Sequence, residues 1–146
     1  MFKIKSTSDE SVHFEKTLLC AHHGWGKTTQ AIHVQRKYGK TLIISLEGGL
    51  KSLEHVSIDV IPVSSWDDEH EPDDGIFSFR QTMNMVGKAD FRALGYKAIF
   101  IDSVTEMADQ LMDYLEEKHK NNKNTFEKWG DNSRLMIGSL KWIRDL

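Results

Sequence analysis

The segment Ala21-His22-His23-Gly24-Trp25-Gly26-Lys27-Thr28 holds the residue types that phosphate binding requires. Glycines flanking one residue let a turn bring successive main-chain N–H groups onto a single anion. The lysine that follows adds a positive charge with the reach to meet the β- and γ-phosphates of a nucleotide. The Thr28 hydroxyl is a hard oxygen ligand suited to Mg2+. A helix opening here would contribute the unpaired N–H groups of its first turn and the positive end of its dipole. The segment matches the P-loop pattern, with Ala21 in place of the usual first glycine. Its expected phosphate-binding residues are Ala21, His22, His23, Gly24, Trp25, Gly26, Lys27, Thr28 and Thr29. The blander reading is a glycine-bearing strand-to-helix turn with an incidental lysine. Trp25 is bulky for its place between two glycines, so its ring must point out of the loop. There it is either simply exposed or a lid or partner contact.

Two carboxylates complete the pattern. Ile99-Phe100-Ile101-Asp102-Ser103 is an apolar strand ending in an acid, about 75 positions after Lys27. At the C-terminal edge of a parallel sheet such an acid faces the crevice where ligands bind, and there Asp102 would hold Mg2+ together with Thr28. The alternative is an aspartate that caps the next helix. Glu47, followed by Gly48-Gly49-Leu50, ends another apolar run and reaches the same edge. It suits a base that orients water against the γ-phosphate, and its alternative is a carboxylate favouring a helix N-terminus. Lys27 and Glu47 are thus the expected catalytic pair.

Other chemistry-bearing residues carry less. Cys20, His22 and His23 are too close together to give the separated ligand pairs that zinc prefers. The stretch WDDEHEPDD over residues 66–74 has no basic residue, and Pro72 and Gly75 break regular structure there, so it reads as a solvated acidic loop. It lacks the ligand spacing of a calcium loop. Lys118, Lys120, Lys123 and Lys128 surround Asn121, Asn122 and Asn124, with Phe126 and Trp129 nearby. Lysines among aromatics suit single-stranded DNA through charge and base stacking; the plain alternative is a solvated loop between helices.

The elements that must position these groups follow from hydrophobic patterning. Residues 17–21 (TLLCA), 41–46 (TLIISL), 58–63 (IDVIPV) and 97–101 (KAIFI) are continuous apolar runs, as expected of strands covered on both faces in a parallel sheet. After Lys27, Ala31, Val34 and Tyr38 share one helical face, and Gly39 stands where a left-handed C-cap belongs. Val104, Met107, Ala108, Leu111, Met112 and Leu115 follow helical spacing closely. Residues 133–146 place Met136, Leu140 and Ile143 along one stripe. Alternating strands and helices predict an α/β fold with right-handed crossovers.

The chain has 146 residues, the scale of one domain, with 39% apolar residues, enough to bury one core. A net charge of −3 gives no bulk attraction to nucleic acid and excludes a highly charged disordered tail. A single cysteine excludes an internal disulfide framework and fits a reducing compartment. No apolar run approaches the length of a membrane span, and the first residues, MFKIK, lack a signal-peptide core. The expectation is a protein of the cytoplasm without a membrane partner.

In order, AHHGWGKT, SLEGGLKSL, IDVIPVSSWDD, YKAIFIDSVTEMADQL and WGDNSRLMIGSLKWIRDL resemble the phage-type AAA/RecA-like P-loop ATP-binding proteins, from about residue 16 to residue 146. The resemblance implies a RecA-like, mainly parallel sheet flanked by helices. It implies ATP binding and Mg2+-dependent hydrolysis, serving DNA recombination or single-strand annealing in a cytoplasm that would be the host's for a phage-encoded protein. Lys27 would bind phosphate, Thr28 and Asp102 would bind Mg2+, and Glu47 would act in catalysis. Departures are Ala21, the heavy Trp25, and Ser103 after Asp102, which is RecA-like rather than the Asp-Glu of AAA+ proteins. In RecA-like cores a later strand lies between the P-loop strand and the strand of Asp102. The resemblance therefore implies one domain over residues 1–146 that stops before that strand and, taken alone, binds nucleotide weakly and turns it over slowly. It also implies a homo-oligomer, with ATP between subunits. The competing functions are a nucleotide or nucleoside kinase, disfavoured because Arg36, Arg80, Arg92, Arg134 and Arg144 form no cluster, and a nucleotide-gated binding module without turnover.

Overall fold

The computed structural model describes residues 15–67, 76–88, 91, 93–120 and 125–145. Helix α1 (Gln30–Tyr38) leads into strand β1 (Thr41–Ser45) and a short 3-10 turn (Leu50–Leu53). Strand β2 (Asp59–Ser65), strand β3 (Phe77–Ser78) and helix α2 (Phe79–Val86) follow. Strand β4 (Ala98–Asp102), helix α3 (Val104–Lys118) and helix α4 (Thr125–Asp145) complete the described elements. The sheet order is β3-β2-β1-β4, with every neighbouring pair parallel. This is the predicted α/β architecture, a P-loop NTPase-like sheet with helices on both faces.

β1 is the organising strand. All five of its residues are buried, because β2 and β4 pair along its two edges while helices cover its two faces. Leu42, Ile44 and Leu46 enter the larger core with Phe79 and Met83 of α2 and Met107, Leu111 and Leu115 of α3. Ile43 turns the other way, against Ala31 of α1 and Leu53. The uninterrupted apolar run over residues 41–46 has this cause: both phases of the pleat meet a core. β2 is more open than its apolar sequence suggests. α1 lies over β1 and β4, so Val60 on β2 keeps 36% of its surface exposed.

α2 and its start were not anticipated from periodicity, although a signal was present. Ser78 and Gln81 form a capping box, the Ser78 hydroxyl accepting from the Gln81 amide and the Gln81 side chain accepting from the Ser78 amide. α4 also starts earlier than the expected residue 133. Its first turns are fastened to α3 by Lys128 to Glu116 at 3.1 Å and by His119 to Asp131 at 3.1 Å, polar ties that hydropathy does not register. Met136 and Ile143 pack on the core as expected, but Leu140 is 42% exposed, and Leu135 and Trp142 take the inward positions instead.

The expected first strand does not form. Residues 15–20 are irregular and exposed, with Leu18 at 76% and Leu19 at 47%. β4 is the sheet edge on that side, and among the described residues nothing pairs with its outer rim. Apolar composition suits a strand but does not by itself make a ladder, and residues 15–20 pair with no strand of the sheet. Of the acidic stretch, Trp66 is buried and stacked on Phe79, and Asp67 pairs with Arg80 at 2.5 Å. Residues 68–74 lie outside the described residues, as do Asn121, Asn122, Lys123 and Asn124.

Candidate nucleotide site

The glycine loop enters α1 through a tight, internally bonded turn. Gly24 (φ 78°) and Gly26 (φ 74°) both take the left-handed region that side-chain-bearing residues avoid. At Gly26 a Cβ would also stand 2.8 Å from the Thr29 hydroxyl oxygen. That hydroxyl donates to the Gly26 carbonyl at 2.6 Å, closing the loop against the helix start. The Gln30, Ala31 and Ile32 amides donate to the carbonyls of Lys27, Thr28 and Thr29, so helical turns begin at Lys27. The first turn of α1 holds no acidic residue, while Arg36 and Lys37 occupy its last turn. The positive end of the dipole is therefore left for an outside anion.

Lys27 is drawn over this loop. Its ammonium donates to the carbonyls of Ala21 at 3.1 Å and His22 at 3.2 Å, which stations a positive charge beside the loop amides. Trp25 points away with 76% of its surface exposed, and its ring lies 6.2 Å from that of His22. His23 and Cys20 are also exposed.

Asp102 ends β4 beside the loop. The Thr28 hydroxyl donates to its carboxylate at 2.6 Å, and Asp102 is only 5% exposed. With its O–H directed at the carboxylate, the hydroxyl keeps its lone pairs for another electropositive group. The main chain of Asp102 does a second job: its carbonyl accepts from the Leu46 amide at 2.7 Å and the Glu47 amide at 3.3 Å. The turn carrying Glu47 is thereby pinned to the strand that carries Asp102. Gln110 of α3 reaches the same turn, donating to the Leu46 carbonyl at 3.4 Å. Glu47 itself is exposed at the C-terminal rim of the sheet.

The structural alternatives to these roles meet contrary geometry. The N-cap of α3 is Ser103, whose hydroxyl accepts from the Glu106 amide at 3.3 Å, so Asp102 is not that cap. The 3-10 turn after Glu47 is preceded by Gly49 and has no side-chain cap, so Glu47 makes no cap bond there. A hard divalent cation fits the remaining donor set. Thr28 and Asp102 offer adjacent oxygens, and the Ser45 hydroxyl on the neighbouring strand is buried without a hydrogen-bond partner. Ser45 and Gln110 were not singled out from the sequence. A polar residue ending an otherwise apolar strand was the available signal for Ser45.

A parallel sheet, a glycine loop opening a helix at its C-terminal edge, and a buried acid facing that loop define a P-loop-type nucleotide-binding domain. The family model described as AAA domain matches residues 13–146, and the chain belongs to that family, whose members as a class bind and hydrolyse nucleotide. No curated protein and no solved structure matches the chain. No described helix is long and apolar enough to cross a membrane.

Proposed function

We propose that this protein binds ATP with Mg2+ and hydrolyses it. The amides of residues 22–28 and the Lys27 ammonium hold the β- and γ-phosphates, with Ala21 and Thr29 closing the loop around them. Thr28 and Asp102 hold the Mg2+, which when bound neutralises phosphate charge and orients the terminal group. Glu47, on the turn tied to Asp102, accepts a proton from the attacking water and aims it at the γ-phosphate. The observation that carries the reading is the 2.6 Å bond from Thr28 to Asp102 at the mouth of the glycine loop.

The kinase alternative draws no support from the arginines that form ion pairs among the described residues. Arg80, Arg134 and Arg144 each close onto an aspartate. We assign the chemistry to a cytoplasmic DNA transaction of the recombination or single-strand annealing kind, performed by a homo-oligomer of a phage-type protein. Support for a single-strand contact is the exposure of Phe126 (85%) and Trp129 (58%) on α4. Lys120 and Lys128 weigh against it, because each is paired with a glutamate.

The test is calorimetric titration of the purified chain with ATP, with and without Mg2+, alongside phosphate release. Lys27→Ala should weaken binding roughly tenfold to a hundredfold, the worth of hydrogen bonds to a charged group. Absence of binding by the wild type, or equal binding by Lys27→Ala, refutes the assignment.

A further inference from the structure

Ser45 closes β1 with 3% of its surface exposed, and its hydroxyl oxygen is buried without a hydrogen-bond partner. Leaving such a group unsatisfied costs about 1–3 kcal/mol, so its surroundings matter. By the pleat of β1, Ser45 shares the face of Ile43, the face covered by α1. On β2 its register partner is Pro62, whose side chain offers neither donor nor acceptor. On β4 its register partner is Asp102, and Phe100, two residues earlier, packs on the same α1-side core. The polar group beside Ser45 across the sheet is therefore the Asp102 carboxylate, one oxygen of which is already held by Thr28.

Resting on the nucleotide-site reading above, we propose that Ser45 is a positioning residue for the cation. When the cation is bound, its hydroxyl, otherwise unpaired, donates to the Asp102 carboxylate through one water and fixes the rotation of that carboxylate against Mg2+. Thr28 restrains the carboxylate from the loop side and Ser45 restrains it from the sheet. Ser45 touches neither nucleotide nor reacting water, so its effect passes entirely through Asp102.

The experiment titrates Mg2+ into the full chain with a non-hydrolysable ATP analogue, reading analogue affinity by calorimetry. Ser45→Ala should raise the Mg2+ concentration for half-maximal effect about tenfold, the usual scale for losing a residue that orients a metal ligand. Analogue binding without Mg2+ should stay at the wild-type value, and the thermal midpoint without ligand should not fall, because alanine removes an unpaired buried hydroxyl. Ser65→Ala is the control, because the Ser65 hydroxyl is equally without a partner but ends β2 opposite Ser78, away from Asp102. It should leave the Mg2+ response unchanged. A wild-type response in Ser45→Ala overturns the inference while the nucleotide-site reading stands, and so does an equal shift in Ser65→Ala. A wild-type chain whose analogue binding ignores Mg2+ overturns both.

Discussion

Thr28 and Asp102, 74 positions apart in sequence, are joined by a 2.6 Å hydrogen bond that locks the start of α1 to the end of β4. Because Asp102 is nearly buried, the bond shields a carboxylate that would otherwise face a poor solvent for charge. A double-mutant cycle with Thr28→Ala and Asp102→Asn should return a coupling of about 1–3 kcal/mol in urea unfolding. Additive effects would show that the contact contributes nothing to stability. Both single variants should also lose the Mg2+ enhancement of nucleotide binding.

Glu47 is held by main-chain bonds of its turn, and among the described residues no hydrogen bond ties its carboxylate down. Glu47→Gln preserves shape and removes the carboxylate proposed as the base. Nucleotide affinity should remain within about twofold while phosphate release falls by roughly 10²-fold or more, the scale of general-base catalysis. Unchanged turnover would remove Glu47 from the chemistry, whereas nucleotide binding without phosphate release in the wild type would favour a module in which nucleotide acts as a switch.

The glycine loop, the acid ending β4 and the acid after β1 were all legible in the sequence, because each depends on local residue types at fixed spacing. What escaped reading depends on partners distant in sequence. Residues 17–21 have strand-like composition but find no ladder among the described residues. The early start of α4 is fixed by Glu116 and His119 of the α3 region rather than by its own periodicity. Ser45 lies inside the apolar run over residues 41–46, and its place beside Asp102 depends on a strand register that the sequence does not carry.

Leu111 of α3 is fully buried in the larger core, against which Ile101 near the C-terminal end of β4 also packs. Truncation to alanine removes its apolar burial and leaves a cavity, costing about 2–5 kcal/mol. Chemical denaturation should show the loss with the denaturant slope unchanged. A loss below about 0.5 kcal/mol would mean that this layer repacks freely around the missing side chain.

At the opposite end of the sheet, Tyr96, Asp59 and Lys40 form a clasp whose stability should vary with pH. The Tyr96 hydroxyl donates to Asp59 at 2.7 Å, and Lys40 lies 3.5 Å from the same carboxylate and 4.2 Å above the Tyr96 ring. The bond from Tyr96, with help from Lys40, holds the Asp59 carboxyl below its ordinary value. Burial and the carboxylate push the Tyr96 phenol above its own ordinary value. The Asp59 contribution is present above the carboxyl's unfolded pKa and disappears as pH falls through the depressed folded value. The Tyr96 contribution is present below the phenol's unfolded pKa and disappears as pH rises through the elevated folded value. The clasp therefore works between those limits and fails on both sides. It is half-exposed, so its worth is at most about 1 kcal/mol. Tyr96→Phe should lower the thermal midpoint at neutral pH by a few degrees and shrink its drop on acidification. If the midpoints of variant and wild type run parallel from neutral pH down to about pH 3, the carboxyl shift does not originate in this bond.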